Sequence, residues 1–151
     1  MGINVQKYNL RLVKESGSRY ELEDRIIKHP RQAHKIFTRV ADLHRRTEEV
    51  LVMLTLDSQN SLIGVFEVAI GSLSRSIVNP REVLKRALLS NAASIILGHN
   101  HPSGSAEPSE DDINVTNKIM ESSDLMGINF FDHIIIAGED EYISLKSDGY
   151  I

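Results

Sequence analysis

Ser94-Ile95-Ile96-Leu97-Gly98-His99-Asn100-His101-Pro102-Ser103-Gly104 is the most informative stretch of the chain. Its first four residues are a short apolar run of the kind that forms a buried strand, and they deliver the chain into a loop shaped by Pro102 and Gly104. His99 and His101 stand two apart at the end of that strand, and the period of two in a strand puts both side chains on one face. Two imidazoles so placed make a two-point grip for a metal, and neutral imidazoles suit zinc. The chain has no cysteine. The third ligand is therefore expected to be a carboxylate, with a fourth position left for water as in catalytic zinc sites. Asp112, in the first turn of the next helix, is the candidate.

Reading outward, Pro108-Ser109-Glu110-Asp111-Asp112 opens a helix that passes through Ile113, Thr116 and Met120 and stops by Gly127. Ser109 followed three residues later by an acidic residue resembles a capping box, which is a sufficient structural reason for both. Upstream, Asn79-Pro80-Arg81-Glu82 reads as an N-cap, a proline at the first helical position and an acid in the first turn, with Val83, Leu84, Ala87 and Leu88 as the buried stripe. Pro30 with Ala33, Ile36, Phe37, Val40 and Leu43 predicts an amphipathic helix from about 30 to 46. Val50 to Leu56 and Leu62 to Ile70 predict a hairpin across Asp57-Ser58-Gln59-Asn60, and Asn129 to Ala137 with Tyr142 to Leu145 predict a closing one. Tyr8, Leu10 and Leu12 alternate with polar residues before Ser16-Gly17-Ser18, which suits a short strand within an N-terminal extension, residues 1–30. Strands and helices alternate over residues 31–151, so the expected fold is a single α/β domain, a mixed sheet flanked by helices.

The length of 151 residues, 41% hydrophobic and 25% charged, is that of one globular domain able to bury a core without cross-links. The absence of cysteine excludes disulfides and thiolate chemistry. No signal sequence opens the chain and no apolar run is long enough to span a bilayer, which points to a cytoplasmic protein without membrane partners. Charge is unevenly spread. Residues 1–46 hold 11 Lys and Arg against 5 Asp and Glu, whereas residues 47–151 hold 6 against 16. The basic front, with Arg25, Lys28, Arg31, Lys35, Arg39, Arg45 and Arg46, could attract phosphates, but it lacks the aromatic interleaving used for base stacking. Weak nucleic-acid association is the most it predicts.

The segment Gly98-His99-Asn100-His101-Pro102-Ser103-Gly104 followed by Pro108-Ser109-Glu110-Asp111-Asp112 resembles the His-x-His-Pro then Ser-x-x-Asp signature of the JAB/MPN (JAMM) metallopeptidase superfamily, and its RadC-like branch in particular. Asn79-Pro80-Arg81-Glu82-Val83, Asn91-Ala92-Ala93-Ser94-Ile95-Ile96-Leu97 and Asp132-His133-Ile134-Ile135-Ile136 extend the similarity to about residues 35–147. The resemblance implies a sheet flanked by helices, similar to that of the zinc deaminases. Deaminase chemistry itself needs a Pro-Cys-x-x-Cys element that this chain lacks. No His-Glu-x-x-His of the zincin kind is present either.

By that resemblance His99, His101 and Asp112 match zinc ligands and Ser109 matches a serine that stabilises the oxyanion. The family's catalytic glutamate precedes the strand after the first helix, which selects Glu49; Glu48 and Glu67 are the alternatives. Asp132-His133 is read as a hydrogen-bonded pair supporting a turn or the metal site from outside, since three ligands and water complete a tetrahedral zinc. The implied activity is zinc-dependent hydrolysis of a peptide or isopeptide bond in a peptide or protein substrate. The competing reading is a metal-binding accessory protein of DNA repair or mobile elements with little or no catalysis. Residues 1–30 are too short, and lack the glycine pattern, for the helix-hairpin-helix region usual in RadC-like proteins.

Overall fold

Val50–Leu56 (β1) is buried along its whole length, whereas Leu62–Ile70 (β2) alternates between half-buried and exposed positions. The first pattern belongs to a strand covered on both faces and the second to an edge strand. The computed structural model, which describes residues 1–22, 25–73 and 78–151, places them accordingly. It contains α1 (Pro30–Arg39), a 3-10 turn (Leu43–Arg45), β1, β2, α2 (Pro80–Leu89), β3 (Ser94–Asn100), α3 (Glu110–Leu125), β4 (Asn129–Ile136) and β5 (Tyr142–Ser144). The five strands form one mixed sheet in the order β2-β1-β3-β4-β5, with β3 and β4 parallel and every other pair antiparallel. The expected α/β fold with a single mixed sheet is the one observed.

Strand parity divides the core. Val50, Val52, Leu54, Leu56 and Ile96 face α1, through Ala33, Ile36 and Phe37. Leu51, Met53, Ile95 and Leu97 face α2 and α3, through Val83, Ala87, Val115 and Ile119. His99 continues the second series. The two later helices start where local chemistry directs, with Asn79 accepting from the Arg81 amide and Ser109 accepting from the Asp112 amide.

Three expectations need correction. The first helix ends at Arg39 instead of near residue 46, because Asp42 takes a left-handed conformation (φ 53°) and the chain re-enters the core at Leu43 through the 3-10 turn. The strand predicted over Ser94 to Leu97 runs on to Asn100, since β4 keeps pairing with it as far as Asn100 opposite Ile136. Gly98 is what permits this: a Cβ there would lie 2.6 Å from the ring of Phe37, so only glycine lets α1 approach the strand. Finally, no strand forms around Tyr8, Leu10 and Leu12, which lie exposed. Alternation makes a strand only beside a partner, and among the described residues the first such pairing is the bridge of Ile26 to Ser61. No helix among the described residues is long and apolar enough to cross a membrane.

Candidate metal centre

β3 and α3 bring the predicted ligands together. One ligand atom from each of His99, His101 and Asp112 lies within 4.8 Å of the others. The two imidazoles meet Nε2 to Nε2 at 2.8 Å, and the Asp112 oxygens stand 3.3 Å from each of those nitrogens. Asp112 is held by the first turn of α3, where Oδ2 accepts from the Ser109 amide at 2.7 Å and the Ser109 hydroxyl accepts from the Asp112 amide at 3.1 Å. The capping box thus aims the carboxylate at the histidines.

Hydrogen bonding fixes where the imidazole protons sit. Thr116, fully buried on α3, donates its one hydroxyl hydrogen to the Asp112 carbonyl at 2.6 Å. Its contact with His133 Nδ1, also 2.6 Å, must then be a bond donated by His133. Burial first, and then the neighbouring His99, hold the His133 pKa well below the usual histidine value, so the ring is neutral and its Nε2 is a bare acceptor. His99 Nδ1, 2.8 Å away, is therefore the donor, and because burial also lowers the His99 pKa, its Nε2 carries a lone pair. On His101, Nδ1 donates to the Ser105 carbonyl at 2.7 Å, which leaves Nε2 facing inward. Two imidazole nitrogens and a carboxylate thus converge on one point, a group of two nitrogens and one oxygen that could hold a metal ion.

Charge follows the same logic. Burial pushes the Asp112 carboxyl up, but the neighbouring His101 and His99 imidazoles outweigh it and hold the pKa well below the ordinary range. The same carboxylate raises the His101 pKa against partial burial.

A model of the RadC-like JAB domain matches residues 27–150. The chain belongs to the RadC-like JAB domain family. It is 46% identical over 122 residues to the UPF0758 protein of Methanococcoides burtonii, covering 80% of this chain and 53% of that one. The UPF0758 protein of Methanosarcina acetivorans is 48% identical over 109 residues (72% and 47%), and that of Clostridium beijerinckii is 44% identical over 112 (74% and 48%). The chain thus spans about half the length of the curated relatives it matches.

Within this RadC-like domain the three candidate glutamates separate. Leu51 pairs with His99, and extending that register sets Glu49 opposite His101 on the same face. Glu49 borders a cavity of about 320 Å³ together with His101, Ser109 and Asp112, and it accepts from the Leu73 amide at 3.3 Å. Glu48 has the opposite parity and is exposed; Glu67 lies on β2, paired with Arg46 at 3.0 Å. Neither borders that cavity. Asp132 and His133 are hydrogen-bonded as expected, Asp132 Oδ1 accepting from the His133 amide at 2.7 Å. The His133 ring reaches His99, while Asp132 also holds Ser144 (2.6 Å) and the Lys146 amide (3.2 Å), away from the ligands.

Two residues of the site escape a sequence reading. Thr116 looks like an ordinary helix position, yet it ends the chain of bonds that orients His99. Asn100, buried between the two histidines in sequence, accepts from the Val50 amide at 2.8 Å and donates to the Arg46 and Glu48 carbonyls at 3.2 and 2.9 Å. It ties β3 to the segment that carries Glu49.

Proposed function

We propose that this domain is a zinc-dependent hydrolase of peptide or isopeptide bonds. The observation that carries the reading is the convergence of two imidazole nitrogens and one carboxylate beside a cavity bordered by Glu49 and Ser109. A zinc ion held by His99, His101 and Asp112 would supply Lewis acidity, lowering the pKa of a water toward 7 and polarising a carbonyl. Glu49 takes the proton of the attacking water and passes it to the departing amine. The Ser109 oxygen already accepts from the Asp112 amide, so its own hydrogen is left to donate to the carbonyl oxygen as negative charge builds there. His133 and Thr116 keep His99 in the tautomer whose lone pair faces the other ligands. No protein nucleophile is required, which agrees with a chain that has no cysteine.

Membership of the family supports this reading, and so does the donor set. The test is hydrolysis of a peptide and isopeptide library by the chelator-stripped and zinc-reloaded protein. Cleavage restored by zinc and absent from Asp112→Ala is expected. A protein that holds one zinc per chain and cleaves nothing would instead support an accessory role without catalysis in DNA repair or mobile-element function.

A further inference from the structure

Strand β2 is an open edge. Among the described residues, β1 pairs with one side of it, and the other side is met only at its start, where Ile26 bridges Ser61 and the Leu62 amide donates to the Arg25 carbonyl at 3.2 Å. A row of uncovered amides and carbonyls is a template for another strand, and proteins blunt such edges with lysine, proline or shortness. β2 is nine residues long and reads Leu-Ile-Gly-Val-Phe-Glu-Val-Ala-Ile. Two register shifts bend it, but it has neither lysine nor proline, and its one charge, Glu67, is paired with Arg46. Ile63 and Ile70 are 43% and 50% exposed, and Phe66, Val68 and Ala69 are only partly covered by the core against which they pack.

The same chain carries a segment that matches this edge. Residues 5–13, Val-Gln-Lys-Tyr-Asn-Leu-Arg-Leu-Val, also number nine, so each stretch spans about 30 Å when extended. Extension sorts the segment into two faces, apolar Tyr8, Leu10 and Leu12 against polar Lys7, Asn9 and Arg11. β2 is sorted in the same way: Phe66 and Val68 lie on one face and Glu67 on the other. Charge agrees, since residues 1–20 hold four Lys and Arg against one Glu, while residues 47–151 hold 6 against 16. Yet the segment does not lie on its own domain. The Glu21 carbonyl is held by Arg39 at the end of α1 (3.1 Å) and Leu22 packs beside Val65, so the chain departs on the α1 side and residues 1–21 are exposed. Tyr8, Leu10 and Val13 are 83%, 81% and 84% exposed, which is an unfavourable placement for such side chains in water.

We propose that two copies of this chain exchange these segments, residues 5–13 of each adding a sixth strand to the free edge of the other's β2. Every copy supplies both halves of the contact, so one two-fold axis satisfies both edges and the assembly closes as a dimer. Main-chain bonds along the edge give the affinity, and the apolar and basic faces set which way round the strand lies. The contact uses none of the three converging ligands and does not depend on the hydrolase reading.

The test is sedimentation equilibrium of the full chain over about 1–100 μM, since an exchanged dimer is concentration-dependent. A species of twice the 16.9 kDa of one chain is expected. Leu10→Pro and Glu67→Lys, both at exposed positions, should each weaken the dimer about tenfold or more while the amide resonances of β1 and β3 stay in place. Connectivity is read by cross-linking, because the chain has no cysteine of its own. Leu10→Cys and Glu67→Cys are made on two isotopically distinguished chains, mixed and treated with a short bismaleimide, and a product joining one of each is expected. A monomer across the whole range, a dimer undiminished in Leu10→Pro or Glu67→Lys, or cross-linking confined to a single chain that carries both cysteines would each overturn the exchange.

Discussion

Replacing Thr116 by valine removes one buried hydroxyl and almost nothing else, because the two side chains have the same shape. The hydroxyl makes bonds of 2.6 Å to the Asp112 carbonyl and to His133 Nδ1. Without it the His133 Nδ1 hydrogen is stranded in a fully buried position, at a cost of about 1–3 kcal/mol. For a domain of this size that corresponds to a fall in Tm of roughly 2–12 °C. The imidazole can avoid the penalty by moving its proton to Nε2, but that nitrogen faces His99 Nδ1 at 2.8 Å and already receives a hydrogen from it. His99 must then change tautomer as well, which puts a proton on the Nε2 that should face the metal. Zinc affinity is therefore expected to fall by about 10–100-fold, the usual effect of losing a partner that orients a ligand. Competition with a chelator of known affinity measures the loss, and nitrogen-detected NMR of the imidazoles reports the tautomers. Zinc affinity within twofold of wild type together with an unchanged Tm would refute the proton assignment on which the site description rests.

Asn100→Ala strands the buried Val50 amide and releases the part-buried Arg46 and Glu48 carbonyls; we expect a loss of about 1–3 kcal/mol, chiefly from the amide, and faster exchange of the Val50 amide hydrogen. Gly98→Ala drives a methyl group to 2.6 Å from the Phe37 ring and should cost about 1–3 kcal/mol in thermal unfolding, with part of the loss recovered by adding Phe37→Leu. Glu67→Gln removes only a partly exposed ion pair with Arg46, so a change in stability above about 1 kcal/mol would contradict its placement outside the site.

Much of this site is written in short-range chemistry. His99 and His101 share a face because they are two apart at a strand end, and Asp112 is aimed by a capping box spanning three residues, so all three could be found from local spacing. Thr116 and His133 are 17 residues apart on different elements, and nothing near either one announces the contact. Asn100 is silent for another reason: its parity is opposite to that of the histidines, and its partners lie about 50 residues upstream. The overrun of the first helix has a local cause that periodicity hides. Leu43 falls at helical spacing after Val40, but it reaches the core through the left-handed Asp42. The alternation at Tyr8, Leu10 and Leu12 misled because no neighbouring strand is there to receive it.

The most direct measurement compares amide hydrolysis by zinc-loaded wild type and Glu49→Gln at matched zinc content. Glu49 borders the cavity of His101, Ser109 and Asp112 but is not one of the three converging ligands, so the variant should keep its zinc and its fold. Loss of a positioned general base then predicts a fall in rate of about two orders of magnitude or more, with zinc occupancy unchanged. An unchanged rate, or a loss of activity that merely tracks a loss of zinc, would contradict the assignment of Glu49 as the group that moves the proton.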